Sequence, residues 1–78
     1  MIPQDLNSLL TRDATAAALT ESGFPVSPKT LATKASRGGG PRFRHFGPRV
    51  LYRWGDALDW AEKRLSPVIG STSEEDAE

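Results

Sequence analysis

The sequence predicts a small, mainly α-helical domain with one β-hairpin set between its second and third helices. Three observations carry this. Two alanine- and threonine-rich stretches, each opened by a hydroxyl residue, are joined by the short turn ESGFPVS. After a Gly38-Gly39-Gly40-Pro41 break, the runs FRHF and VLYR flank Gly47-Pro48-Arg49. The segment DALDWAEKRL then repeats its apolar residues at helical spacing. A chain of 78 residues makes one domain with a modest core.

Residues 1–10 read as a lead-in whose Leu6, Leu9 and Leu10 pack back on that core. Thr11 precedes RDATAAALTES, a stretch of good helix formers with Asp13 in its first turn. Ala14, Ala17, Ala18 and Glu21 fall at i, i+3, i+4 and i+7, a face of small residues that admits another backbone closely. Gly23 ends this helix, and Phe24 and Val26 point inward from the connection. Ser27-Pro28 restarts: serine accepts a free backbone N–H, and proline suits the first helical position. Leu31 and Ala35 face inward from the second helix, with Lys29, Thr30, Thr33, Lys34 and Arg37 outward.

The triple glycine and Pro41 stop that helix. The two runs after them read as strands joined by the Gly47-Pro48-Arg49 loop, a hairpin. Val50 and Tyr52 share one face of the second strand, with Tyr52 beneath the hairpin. Phe43 and Phe46 differ in parity, so one of them lies outside the regular strand. Asp56 caps the third helix, and Ala57, Trp60, Ala61 and Leu65 form its buried stripe. Residues 66–78, ending EEDAE, have the composition of a disordered acidic tail.

Charge is distributed unevenly. Ten lysines and arginines balance ten acids over the whole chain. From Lys29 to Arg53, however, Lys29, Lys34, Arg37, Arg42, Arg44, Arg49 and Arg53 occur with no acid among them. Segregation of this kind points to an anionic partner for the middle segment. The order of helix, turn, helix, basic hairpin and helix is that of a winged helix-turn-helix. Such a unit lays its second helix in the major groove of double-stranded DNA, with the residues near that helix's start closest to base edges. Ser27, Lys29, Thr30 and Thr33 fill those positions, and Lys34 and Arg37 are placed for phosphates. The wing supplies Arg42, Arg44, His45, Arg49 and Arg53, with Arg49 at the turn suited to a narrow, A·T-rich minor groove.

VSPKTL followed by GGGPRFRHFGPRVLYRWGDALDWAEKRL resembles the MerR-like winged helix-turn-helix domains of the excisionase and AlpA-type regulator group. In those families a VSxxTL start precedes GGPPxxKxGxRVxYRxxDLxxWL. The likeness spans about residues 10 to 65, and Ser27 to Lys34, Phe46 to Arg53 and Trp60 match it position by position. This chain has a longer turn before Val26, and carries Ala35, His45 and Pro48 where tryptophan, lysine and arginine or glycine are common. The resemblance implies DNA binding in one of two forms. One is a recombination directionality factor that bends attachment-site DNA of a mobile element, working with a site-specific integrase and lining up head to tail on repeats. The other is a small transcriptional regulator of phage or integrative-element genes. The first is favoured, since no segment resembles an effector domain or a long dimerisation helix. A winged helix turned to protein interaction is a third reading.

Other classes are disfavoured by residue type. No apolar run nears the roughly 18 residues of a membrane span, and MIPQDLNSLL lacks the marks of a signal peptide. Without cysteine, and with one histidine, neither a disulfide framework nor a zinc centre is expected. No nucleophile–base pair or phosphate loop is present, so neither enzyme activity nor a cofactor is expected. The expected compartment is the bacterial cytoplasm, on the nucleoid when bound.

Overall fold

Local hydrogen bonding at the helix ends sets the frame. In the computed structural model, which describes residues 2–70, three helices accompany a three-stranded antiparallel sheet. Strand β1 is Leu9–Thr11, and helix α1 follows at once as Arg12–Glu21. Thr11 closes the strand and caps the helix, its Oγ1 accepting from Ala14 N at 3.2 Å. At the other end Gly23 takes φ +100°, a left-handed conformation that costs a residue with a Cβ about 1–2 kcal/mol. With Gly23 so placed, its N–H reaches Thr20 O and Phe24 N–H reaches Leu19 O, a Schellman close.

The stripe of α1 is turned from the expected one. Thr15, Ala16, Ala18 and Leu19 are buried, whereas Ala14, Ala17 and Glu21 are exposed. Leucine decides the rotation, because burying Leu19 is worth about 1.5–3 kcal/mol and an alanine far less. Thr15 can follow it inward because its hydroxyl donates to Thr11 O at 2.8 Å.

Helix α2, Pro28–Arg37, starts at Ser27 as expected, with Ser27 Oγ accepting from Thr30 N at 3.1 Å. Leu31 is fully buried beneath it and Ala35 half-buried. The hairpin pairs β2, Arg44–Phe46, with β3, Arg49–Arg53, and β1 lies on the other side of β3. Its turn is two residues long, not three. Arg49 pairs with Phe46, leaving Gly47-Pro48 as the loop. Gly47 has φ +61°, and glycine at the first central position is the requirement of a type II′ turn, whose twist suits a tight hairpin.

Helix α3 is Trp54–Lys63. Its N-cap is Arg53, without a side-chain capping bond, so Asp56 sits inside the first turn instead of capping it. The free N–H groups are taken up from far along the chain: Trp54 N donates to Ser8 O and Gly55 N to Leu6 O, at 2.9 and 2.8 Å. The segment expected as a lead-in therefore contributes a strand and the backbone cap of the last helix. Leu10 packs on the core from that strand, while Leu6 and Leu9 are exposed.

The core brings Ala18 and Leu19 of α1 against Trp54, Ala57 and Ala61 of α3, with Leu10, Phe24, Val26, Leu58 and Trp60 around them. Trp54 is buried and Trp60 half-buried. Leu65 lies past the end of α3 and is exposed, so Trp54 takes the place expected of it in the stripe. Residues 66–70 are exposed and outside helix and strand; the rest of the acidic tail, with EEDAE, lies outside the described residues. Among the described residues no helix is long and apolar enough to cross a membrane.

Candidate nucleic-acid interface

Helix α2 is held by its neighbours at both ends. Before it, Thr20 Oγ1 donates to Val26 O and accepts from Val26 N, fixing the turn on α1. After it, Gly38 N–H donates to Lys34 O at 2.7 Å, and Trp60 Nε1 donates to Gly39 O at 2.8 Å. Gly40 lies so close to α2 that an added Cβ would stand 2.9 Å from Lys34 Cβ, and Pro41 is buried. The glycine linker is therefore clamped between α2 and α3. This fixes where the hairpin departs.

On α2 itself, Lys29, Thr33, Ser36 and Arg37 occur at i, i+4, i+7 and i+8, with Thr30 beside them, and all five are exposed. Ser36 was not singled out from the sequence, although its spacing from Lys29 and Thr33 puts it on that face. The hydroxyls nearest the helix start have local partners. Ser27 Oγ lies 3.0 Å from Thr30 Oγ1, and Thr33 Oγ1 donates to Lys29 O at 3.0 Å. Each keeps accepting capacity for a second bond. Lys34 stands at the flank, half-buried, on a groove of about 280 Å³ that Phe24, Val26, Trp60 and Arg64 also line.

The pleat divides the hairpin's polar residues. The pairs Arg44↔Leu51 and Phe46↔Arg49 put Arg44, Phe46, Arg49, Leu51 and Arg53 on one face. His45, opposite Val50, is on the other, where its ring meets Phe43 edge-on at 5.8 Å. Phe43 in turn lies 6.1 Å from Tyr52, and Tyr52 is fully buried under Arg12, whose Nε donates to its hydroxyl. His45 thus belongs to the aromatic underside and is separated by the pleat from Arg44 and Arg49. Arg42, in the linker, borders a cleft shared with Asp56, Asp59 and Lys63.

The cations fall into two groups. Arg12 meets Tyr52, Arg64 lies over Trp60, and Lys63 pairs with Asp59 at 2.9 Å. Arg53 donates to Asn7 Oδ1 at 3.0 Å and to Asp56 Oδ1 at 3.2 Å, so this expected wing contact is tied within the chain. The side chains of Lys29, Lys34, Arg37, Arg42, Arg44 and Arg49 make no ion pair or hydrogen bond among the described residues. Four of these, Lys29, Arg37, Arg44 and Arg49, stand on the outer faces of α2 and the hairpin. Such a surface can neutralise a polyanion without first breaking internal pairs. Among the described residues no group of three or more histidines, cysteines or acids is placed to hold a metal ion. The chain matches no protein-family model, and no curated protein or solved structure is detectably similar to it.

Proposed function

We propose that the chain is a winged helix-turn-helix protein that binds double-stranded DNA in a sequence-specific manner and has no catalytic role. In this reading α1, the pinned turn and α2 form the helix-turn-helix, and β2–β3 is the wing. The observation that carries it is the sorting of the cations. Arg12, Arg53, Lys63 and Arg64 have partners in the chain, whereas Lys29, Arg37, Arg44 and Arg49, on the outer faces of α2 and the hairpin, make no ion pair or hydrogen bond among the described residues.

Lys29, Thr30 and Thr33, near the start of α2, read base edges, with Ser36 and Arg37 meeting the backbone farther along. Lysine donates to guanine O6 and N7, and threonine accepts, donates or touches a thymine methyl. Arg44 and Arg49 follow the groove beside the helix. Ser27 caps α2 and keeps accepting capacity, and Arg53 is tied to Asn7 and Asp56 beside α3, so neither is among the leading contacts of this reading.

The resemblance to the excisionase group extends the proposal to a recombination directionality factor. The protein would bend attachment-site DNA for a site-specific integrase, several copies aligning head to tail on short repeats. A single module buries about 600–1,000 Å² on DNA, which makes repeated sites the route to tight binding.

The test is recovery of genomic DNA bound by the purified protein, with footprinting of the enriched sites. Tandem short repeats inside an integrase attachment site support the full reading. A single or inverted site over a promoter replaces recombination by transcriptional regulation. No enrichment at low salt refutes DNA binding and leaves a protein-interaction module.

A further inference from the structure

Phe46 occupies an unusual place for an aromatic residue. It is 73% exposed, the last residue of β2, and directly precedes the Gly47-Pro48 turn. The other aromatic rings among the described residues are engaged. Tyr52 and Trp54 are buried, Phe24 packs on the core, Phe43 meets two rings, and Trp60 holds Gly39 and Arg64. A lone exposed apolar side chain is ordinary on a protein surface. What distinguishes this one is its surroundings. Arg49 lies directly across from it, Arg44 is two residues back on the same face, and neither guanidinium has a partner among the described residues. The hairpin tip therefore presents one apolar ring and a proline between two free positive charges.

That combination fits a base step of duplex DNA. A minor groove about 6 Å wide is too narrow for a two-stranded ribbon, so only the tip can enter. Apolar side chains that enter there slide between base pairs, unstack them and kink the duplex, while flanking cations hold the phosphates on either side. We propose that Phe46 is an intercalating wedge. Its ring enters one base step from the minor groove, Pro48 covers the opened step, and Arg44 and Arg49 grip the flanking phosphates. Pyrimidine–purine steps, TA above all, are the preferred point of entry because they unstack most easily. The inference rests on the DNA-binding reading and supplies it with a bending residue.

The probe is a short A·T-rich duplex with one central TA step, at low salt. A fluorescent adenine analogue that brightens on unstacking occupies that step, and a donor–acceptor pair on the ends reports bending. Wild-type protein should brighten the analogue and shorten the end-to-end distance. Phe46→Ala should abolish both signals and weaken binding by about ten-fold, the loss of one stacked ring. Phe46→Leu, which keeps an apolar wedge, should restore most of the bend. Circular dichroism of both variants should match wild type, since the side chain supports no packing. If Phe46→Ala bends and brightens the duplex like wild type, or if wild type binds without brightening it, the wedge is refuted while DNA binding stands. If Phe46→Ala changes only self-association, the ring docks on a second copy and the wedge is likewise refuted. A wild-type protein that does not bind the duplex at all refutes both.

Discussion

Replacing Arg37 and Arg49 together by alanine should flatten the salt dependence of the proposed DNA binding by a calculable amount. Neutralising Z phosphates on a duplex gives a log–log slope of about −0.9Z against salt concentration, through release of condensed counterions. Apart from Lys29, which is assigned to base edges, three cations without a partner among the described residues, Arg37, Arg44 and Arg49, stand on the outer faces of α2 and the hairpin, and Lys34 and Arg42 flank them. Three contacts give a slope of about −2.7 and all five about −4.5. Raising salt four-fold, from about 50 to 200 mM, then weakens binding between about 40-fold and 500-fold. The double variant removes two contacts, so its slope should be shallower by about 1.8. Lys63→Ala is the control, because Lys63 already pairs with Asp59 at 2.9 Å, and its slope should stay near wild type. Fluorescence anisotropy of a labelled duplex over a salt series reads all three. A wild-type slope shallower than about −1, the value of a single contact, would refute the reasoning. So would equal changes for Lys63→Ala and Arg37→Ala, since the sorting of free from paired cations would then carry no information.

Three further substitutions separate stability from recognition. Ser27→Ala removes the α2 cap and should cost about 1 kcal/mol, lowering Tm by about 4–8 °C in a thermal melt. Ser27→Asp restores the cap and the Tm but sets a negative charge at the start of the helix proposed to meet DNA, so anisotropy should show weaker binding without destabilisation. Gly47→Ala meets no atom within 4 Å, yet its φ of +61° is left-handed. It should cost about 1–2 kcal/mol through the backbone alone, seen as a lower denaturant midpoint with unchanged m. Trp60→Phe keeps most of the ring but deletes the 2.8 Å bond to Gly39 O. A loss of about 0.5–1.5 kcal/mol is expected, with faster amide exchange at Gly39 and Gly40 while that of Leu19 changes only with global stability.

Part of the architecture was legible because its signals are local. Thr11 and Ser27 bind backbone N–H groups three residues ahead, and Gly23 and Gly47 supply backbone conformations that other residues resist. A reader of the chain can therefore place the starts of α1 and α2, the break at Gly38 and the hairpin. The outward face of α2 follows from the single buried Leu31, which sets the rotation of the whole helix. On α1 the same reasoning misplaced the face, because alanines lie all around it and only contact with α3 brings Leu19 inward, with Thr15 following through its bond to Thr11 O.

The sequence by itself determined where α1 and α2 begin and end, where the chain turns back, and that positive charge concentrates between Lys29 and Arg53. Only the tertiary structure decided which of those charges are free. Arg53 finds Asn7 across 46 residues, while Arg12 finds Tyr52 across 40 and Trp60 reaches Gly39 across 21. It also turned Leu9–Thr11 into a strand and the carbonyls of Leu6 and Ser8 into the cap of α3. The physical reason is range. Capping and turn chemistry are settled within a few residues, whereas partners this distant are brought together by how the core of α1 and α3 packs.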